Sequence, residues 1–123
     1  MSNAGWIDWE LWEGFIGLKG ITLDRPRLSK HPQHEEIVYP IDYGYVNGTT
    51  SADGEEQDIF VGTAQNGLVG AIFTEDLQKG DSECKLIYDC SPEEIYLVNG
   101  FINFAPNLMH GRLLMRYPMK DLW

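Results

Sequence analysis

Asp53, Glu55 and Asp58 put three carboxylates within six residues, inside the stretch Tyr39 to Gly62, YPIDYGYVNGTTSADGEEQDIFVG, and an apolar run follows at once. Carboxylates so close together on one turn can converge on a hard cation. Mg²⁺ asks for oxygen ligands in near-octahedral geometry and keeps several of its waters. The same composition also describes a solvated hairpin loop, and composition alone favours the loop. Charge raises a related question. The chain carries 19 acids against nine Lys and Arg, a net −10, which should repel an anionic substrate. A bound divalent cation would invert that local field, while the plainer role of the acids is solubility. Neither nucleic acid nor an anionic membrane is expected as the main partner of so acidic a chain.

The elements that must position these residues read as short and mostly β. Ile21 to Leu23 suggests a strand ended by Pro26, and Glu35 to Tyr39 another ended by Pro40. Asn47-Gly48 and Asp53-Gly54 bound a polar turn. Ile59 to Val61, Leu68 to Phe73 and Lys85 to Tyr88 are further β-rich runs, and such spacing suggests a small barrel or a strongly curved sheet. One helix is well signalled. Ser91 suits the N-cap, Pro92 the first helical position and Glu94 the capping box, with Ile95, Val98 and Ile102 on one face and Pro106 as the stop. Leu108 to Met115 returns as either a strand or a second short helix.

Residues 1–20 form a tryptophan-rich arm ahead of one domain at 21–123. Trp6, Trp9, Trp12 and Ile16 fall near helical spacing, while Gly14, Gly17 and Gly20 should break any long helix. The arm is expected to lay its tryptophans on the body of the protein or on a neighbouring subunit. Cys84 and Cys90 have neither metal-site nor CxxC spacing and read as ordinary thiols. No apolar run reaches the roughly 20 residues of a membrane span, and no basic start leads into a signal-peptide core. The cytoplasm is the default location.

YPIDYGY, a short threonine-bearing loop, then DGEEQD entering an apolar strand resembles the soluble inorganic pyrophosphatases, which carry a YP-x-N-YGY segment and a D-x-D-x-x-D signature in that order. ITLDRPRLSKHP is similar to the family's first strand, GAIFTED with ECKL to its second acidic segment, and SPEEIYLVNGFINF to its main helix. The resemblance covers most of residues 21–104. It implies an α+β, mainly β fold: a small five-stranded OB-like barrel with one substantial helix toward the C-terminus. It also implies a cytoplasmic, Mg²⁺-dependent enzyme that cleaves pyrophosphate or a related phosphoanhydride, assembled as a homo-oligomer. By position, Asp53, Asp58, Asp76, Glu83 and Asp24 match metal ligands, and Glu55 the acid that takes the proton from the attacking water. Tyr43 and Lys85 match phosphate-binding groups. Arg25 and Arg27 are the candidates for the remaining phosphate oxygens. Metals suit this reaction because they lower the pKa of bound water and clamp both oxygens of the displacement. Asp53, Asp58 and Asp76 are accordingly expected to converge.

The sequence departs from the family at several points. Glu55 and Glu83 stand where aspartates are usual, and Asp42 replaces the asparagine of the tyrosine-rich segment. The hairpin before YPIDYGY is shortened, leaving a lysine and an arginine unmatched, and the closing tyrosine–lysine pair is not recognisable after Phe104. Arg25, Arg27, Lys30, His31, Arg112 and Arg116 are the cations that could replace them. Tyr39 and Tyr45 read as core or rim. A non-catalytic domain that keeps the pocket for binding is the alternative, and a small interaction domain using the tryptophan arm is a third.

Overall fold

The computed structural model describes residues 7–50 and 54–123. Trp6 and Asp53 therefore lie outside the described residues. A helix, α1 (Trp9–Lys19), precedes strands β1 (Ile21–Arg25), β2 (Lys30–His31), β3 (His34–Val38), β4 (Asp42–Val46), β5 (Gln57–Val61), β6 (Leu68–Asp76) and β7 (Asp81–Tyr88); α2 (Pro92–Asn103), β8 (Met109–Met115) and a short 3₁₀ turn, Met119–Leu122, complete the chain. The class is α+β and mainly β. Among the described residues one mixed sheet has six strands in the order β1-β4-β5-β7-β6-β8, and β2-β3 is a separate hairpin. All neighbours in the large sheet are antiparallel except β5 and β7. The sheet is open, with β1 and β8 at its edges. The segment from Leu108, which the sequence leaves between strand and helix, is the strand β8.

Both faces of the sheet are covered. On one, Phe60, Ile72 and Ile87 pack with Ile95, Val98 and Ile102 of α2. On the other, Val46, Ile59, Ala71 and Leu86 pack with Ile16, and Trp9 and Trp12 lie against them. Period-two alternation within each strand separates the two sets.

The arm is helical across eleven residues and runs through Gly14 and Gly17 without a break, longer than the glycines led us to expect. Its packing overrides its weak propensity. Asp8 accepts the Leu11 N–H at the start, and Glu13 accepts the Leu68 N–H at 2.9 Å while pairing with Arg116 at 3.0 Å. Gly20, at φ 78°, ends it. A methyl group at Gly14 or Gly17 would meet nothing within 4 Å. Gly14→Ala and Gly17→Ala should each stabilise the protein by about 0.5–1 kcal/mol, read from urea midpoints; no gain would mean the arm is not docked in solution.

α2 begins as its sequence dictates, with the reciprocal Ser91–Glu94 capping box formed, and it stops before Pro106 rather than at it. Its far end is tied to β8 by Asn103, whose amide accepts the Gly111 N–H at 2.8 Å and donates to the Gly111 carbonyl at 3.1 Å. A side chain at Gly111 would run into Ile72 and Ile102.

Glu94 also accepts the Thr63 N–H and hydroxyl. Burial alone would raise its carboxyl, but the Ser91 and Thr63 donors outweigh that and hold it below the usual range. The Leu68 N–H does the same for Glu13. A depressed folded-state pKa adds stability above the unfolded value, and that stability is lost as pH falls through the folded one. Thermal stability should therefore fall below about pH 4.5, the ordinary glutamate value, and Glu94→Gln should flatten that fall in melts from pH 7 to 3.

Candidate functional site

Strand register decides which of the candidate side chains can meet. Tyr43 pairs with Phe60 and Tyr45 with Asp58 across β4 and β5. The parallel β5–β7 ladder sets Ile59 beside Leu86, which brings Asp58 and Lys85 to one face, and Arg25 joins them opposite Tyr43. The Lys85 ammonium donates to the Tyr43 hydroxyl at 2.8 Å and to Asp58 Oδ2 at 3.0 Å. Glu83 Oε1 stands 4.0 Å from the same nitrogen. Arg25 donates to the Tyr39 hydroxyl and lies 5.3 Å from the Tyr39 ring centre and 5.8 Å from that of Tyr43. The two tyrosine rings stack at 5.3 Å.

The side chains of Lys85, Asp58 and Glu83 are 10%, 26% and 34% exposed, so the ammonium is the buried member and the carboxylates open toward solvent. Burial pushes the Lys85 pKa down, but Tyr43, Asp58 and Glu83 more than reverse this and hold the ammonium charged. Burial also raises the Tyr43 phenol far above its usual value. Tyr43 is thus neutral near pH 7, and the partners that keep Lys85 charged there are Asp58 and Glu83. Lys85 occupies the place between two carboxylates that a cation would take.

Arg25, Tyr43, Asp58, Glu83 and Lys85 are brought together by these contacts. Asp76 shares their face and lies two residues beyond Thr74, the partner of Glu83, about 7 Å further at a strand's rise of ~3.3 Å per residue. Its Oδ1 accepts the N–H groups of Gln78 and Lys79, both at 3.0 Å, and so caps the β6–β7 turn. Asp24 is exposed at the irregularity in β1. Glu55 is exposed on the approach to β5. Among the described residues, no group of three or more His, Cys, Asp and Glu is placed to hold a metal ion. Asp58 and Glu83 are nonetheless hard oxygen donors of the kind Mg²⁺ takes, held around one cationic position and partly open to water.

Of the cations that could replace the family's missing pair, Arg116 is committed to Glu13 and the Leu68 carbonyl on the α1 side. Arg112 pairs with Phe73 and so belongs to the face opposite Lys85. Arg27 is exposed, and its backbone N–H donates to Asp42 Oδ1 at 2.8 Å. An asparagine oxygen would accept that bond equally well, so the Asp42 departure costs the local structure nothing. Arg25 is the arginine that reaches the group.

Three positioning residues were not foreseen. Tyr39 is 5% exposed and is core, as expected, yet its hydroxyl also holds Arg25. Thr49 accepts the Gln57 N–H at 3.0 Å and donates to the Val46 carbonyl at 2.7 Å, which closes the acidic loop at its base. Gln57 is buried and ties β5 to the Cys84 carbonyl. Cys84 and Cys90 are free thiols, and burial pushes Cys84 up to about 11, as befits inert packing residues.

Comparison with protein-family models gives no match, and comparison with curated proteins gives no significant one.

Proposed function

We propose that this chain is a short, divergent member of the soluble inorganic pyrophosphatase family and hydrolyses pyrophosphate or a related phosphoanhydride with Mg²⁺. The observation that carries the reading is the hydrogen-bonded group of Tyr43, Asp58 and Lys85 with Glu83 and Arg25 beside it. These are the residues that the sequence resemblance marks for metal and phosphate, and they come from four different strands. The fold is part of the proposal: β1-β4-β5-β7-β6 is a run of five neighbouring strands, enough for a partly open OB-type barrel, with β8 added outside.

In this reading Asp58 and Glu83, with Asp53 and Asp24, hold the metal. Bound Mg²⁺ supplies charge neutralisation and a water acidic enough to attack at neutral pH. With a cation held by Asp58 and Glu83, Lys85 would no longer be needed to neutralise them, and its ammonium would be available to a phosphoryl oxygen. Arg25 offers a planar fork to another oxygen, and Tyr43 offers a neutral hydroxyl held in place by Lys85. Glu55 receives the proton of the attacking water. The proposal includes a homo-oligomer, for which α2 leaves Tyr96 and Leu97 exposed, with Phe104 exposed just beyond its end, and a cytoplasmic location; among the described residues no helix is long and apolar enough to cross a membrane.

One observation favours a second reading. Asp76 is engaged in its own turn, which suits a domain that binds metal or phosphate, or a protein partner, without turnover. Phosphate release from pyrophosphate with and without Mg²⁺ separates the two. Mg²⁺-dependent release supports the enzyme; Mg²⁺-dependent binding of pyrophosphate without release supports the degenerate domain.

A further inference from the structure

The aromatic stack that begins at Tyr43 does not end at the group around Lys85. Tyr39 stacks on Tyr43, and His31 lies over the other end of the stack, 6.4 Å from Tyr39 with the rings only 10° apart. His31 belongs to the β2–β3 hairpin, where His34 stands 5.2 Å away. Arg25 bridges the two regions, since it bonds Tyr39 and lies over both tyrosines. Lys79, at the turn after β6, is near enough for its charge to act on His31. In a chain with nine Lys and Arg and a net charge of −10, Arg25 and Lys85 lie at one tyrosine stack that His31 and His34 continue.

His31 is oriented for use. Its Nδ1 accepts the Gln33 N–H at 3.1 Å, which leaves Nε2 as the donor nitrogen. Burial, and then Arg25, His34 and Lys79, push its pKa below the usual value, and Glu36 opposes them. His34 faces Glu36 at 3.7 Å, and Tyr39 is a neutral neighbour. An anion placed among these groups would reverse the balance and favour the imidazolium.

We propose that Arg25 and His31, both held on Tyr39, form a second anion subsite, continuous with the pyrophosphate site through Arg25, that takes the additional phosphate of a longer phosphoanhydride. This rests on the reading of the Lys85 group as a phosphate site. It makes His31 a specificity-determining residue: pyrophosphate reaches Lys85, Tyr43 and Arg25, whereas a chain of three or more phosphates also reaches His31.

The test is calorimetric titration of inorganic tripolyphosphate and of pyrophosphate, with Mg²⁺, at pH 8 and pH 6. Both are run on the parent and on His31→Gln. In the parent the affinity ratio of tripolyphosphate to pyrophosphate should rise about fivefold as pH falls, the value of one added charge at an exposed anion site. His31→Gln should abolish that rise while leaving pyrophosphate affinity unchanged. The ratio cancels protonation common to both ligands. A pH-dependent ratio that persists in His31→Gln, or a ratio that does not rise as pH falls in the parent, overturns the subsite. If tripolyphosphate binds through His31 but pyrophosphate does not bind, the subsite stands and the pyrophosphatase reading falls.

Discussion

Asp58→Asn should destabilise the protein by about 3 kcal/mol, whereas Lys85→Met should change stability by less than about 1 kcal/mol. Both substitutions break the same 3.0 Å ion pair, so equal costs would be the naive expectation. The asymmetry comes from burial. Lys85 is the member withdrawn from water, its side chain 10% exposed against 26% for Asp58. Removing Asp58 leaves a buried ammonium with Glu83 at 4.0 Å as its remaining anion, and stranding a buried charge typically costs about 3–5 kcal/mol. Removing Lys85 takes away the charge that was expensive to bury, and Asp58 is open enough for water to solvate it. The double variant should lie close to Lys85→Met, giving a coupling of about 3 kcal/mol in the double-mutant cycle. Urea unfolding of the four proteins measures this. Equal losses in the two single variants would show that Lys85 is better hydrated than its position implies.

What the sequence disclosed follows from how local each signal is. α2 was legible because its start is written in four consecutive residues: Ser91, Pro92, Glu93 and Glu94 form the cap without help from the rest of the chain. β4 was not legible as a strand, because DYGYV has a glycine at its centre. The structure requires that glycine, since a side chain at Gly44 would strike the Thr22 backbone where β1 crosses. The length of the arm's helix was concealed for the opposite reason. Gly14 and Gly17 oppose it locally, and what stabilises it lies 55 residues away at Leu68.

The site divides in the same manner. Residue types and order marked Tyr43, Asp58, Glu83 and Lys85, but whether they meet depends on a parallel ladder between β5 and β7, and no local pattern encodes register between strands so far apart. Asp76 shows the limit from the other side. Its place in the second acidic segment suggested a ligand, while aspartate at a strand end also readily accepts backbone N–H groups two and three residues on, and here it does so. Tyr39 carried no signal for its bond to Arg25, because a buried tyrosine packs the same way whether or not its hydroxyl has a task.

Asp58→Asn and Glu55→Gln should separate in two assays, Mg²⁺-dependent thermal stabilisation and release of phosphate from pyrophosphate. Asp58 sits inside the hydrogen-bonded group, one oxygen on Lys85. Its loss removes a charged ligand, so stabilisation by Mg²⁺, which arises from binding the native state alone, should weaken sharply, and turnover should vanish with it. The comparison must be made within each variant, as the shift that Mg²⁺ produces, because Asp58→Asn also lowers the baseline. Glu55 is exposed on the loop that Thr49 closes. Gln at this position retains shape and hydrogen-bonding atoms but cannot take a proton at neutral pH. The Mg²⁺ shift should therefore survive, while turnover falls by roughly 10²–10⁴-fold, the usual contribution of a general base. The extra methylene of Glu55 over the family's aspartate makes the conservative variant informative too: Glu55→Asp should restore most of the activity if the loop adapts to its length. If Glu55→Gln loses the Mg²⁺ shift as well, Glu55 is a ligand rather than the base. If it hydrolyses pyrophosphate as fast as the parent, the proton goes elsewhere, and the loop's carboxylates serve only to attract the metal.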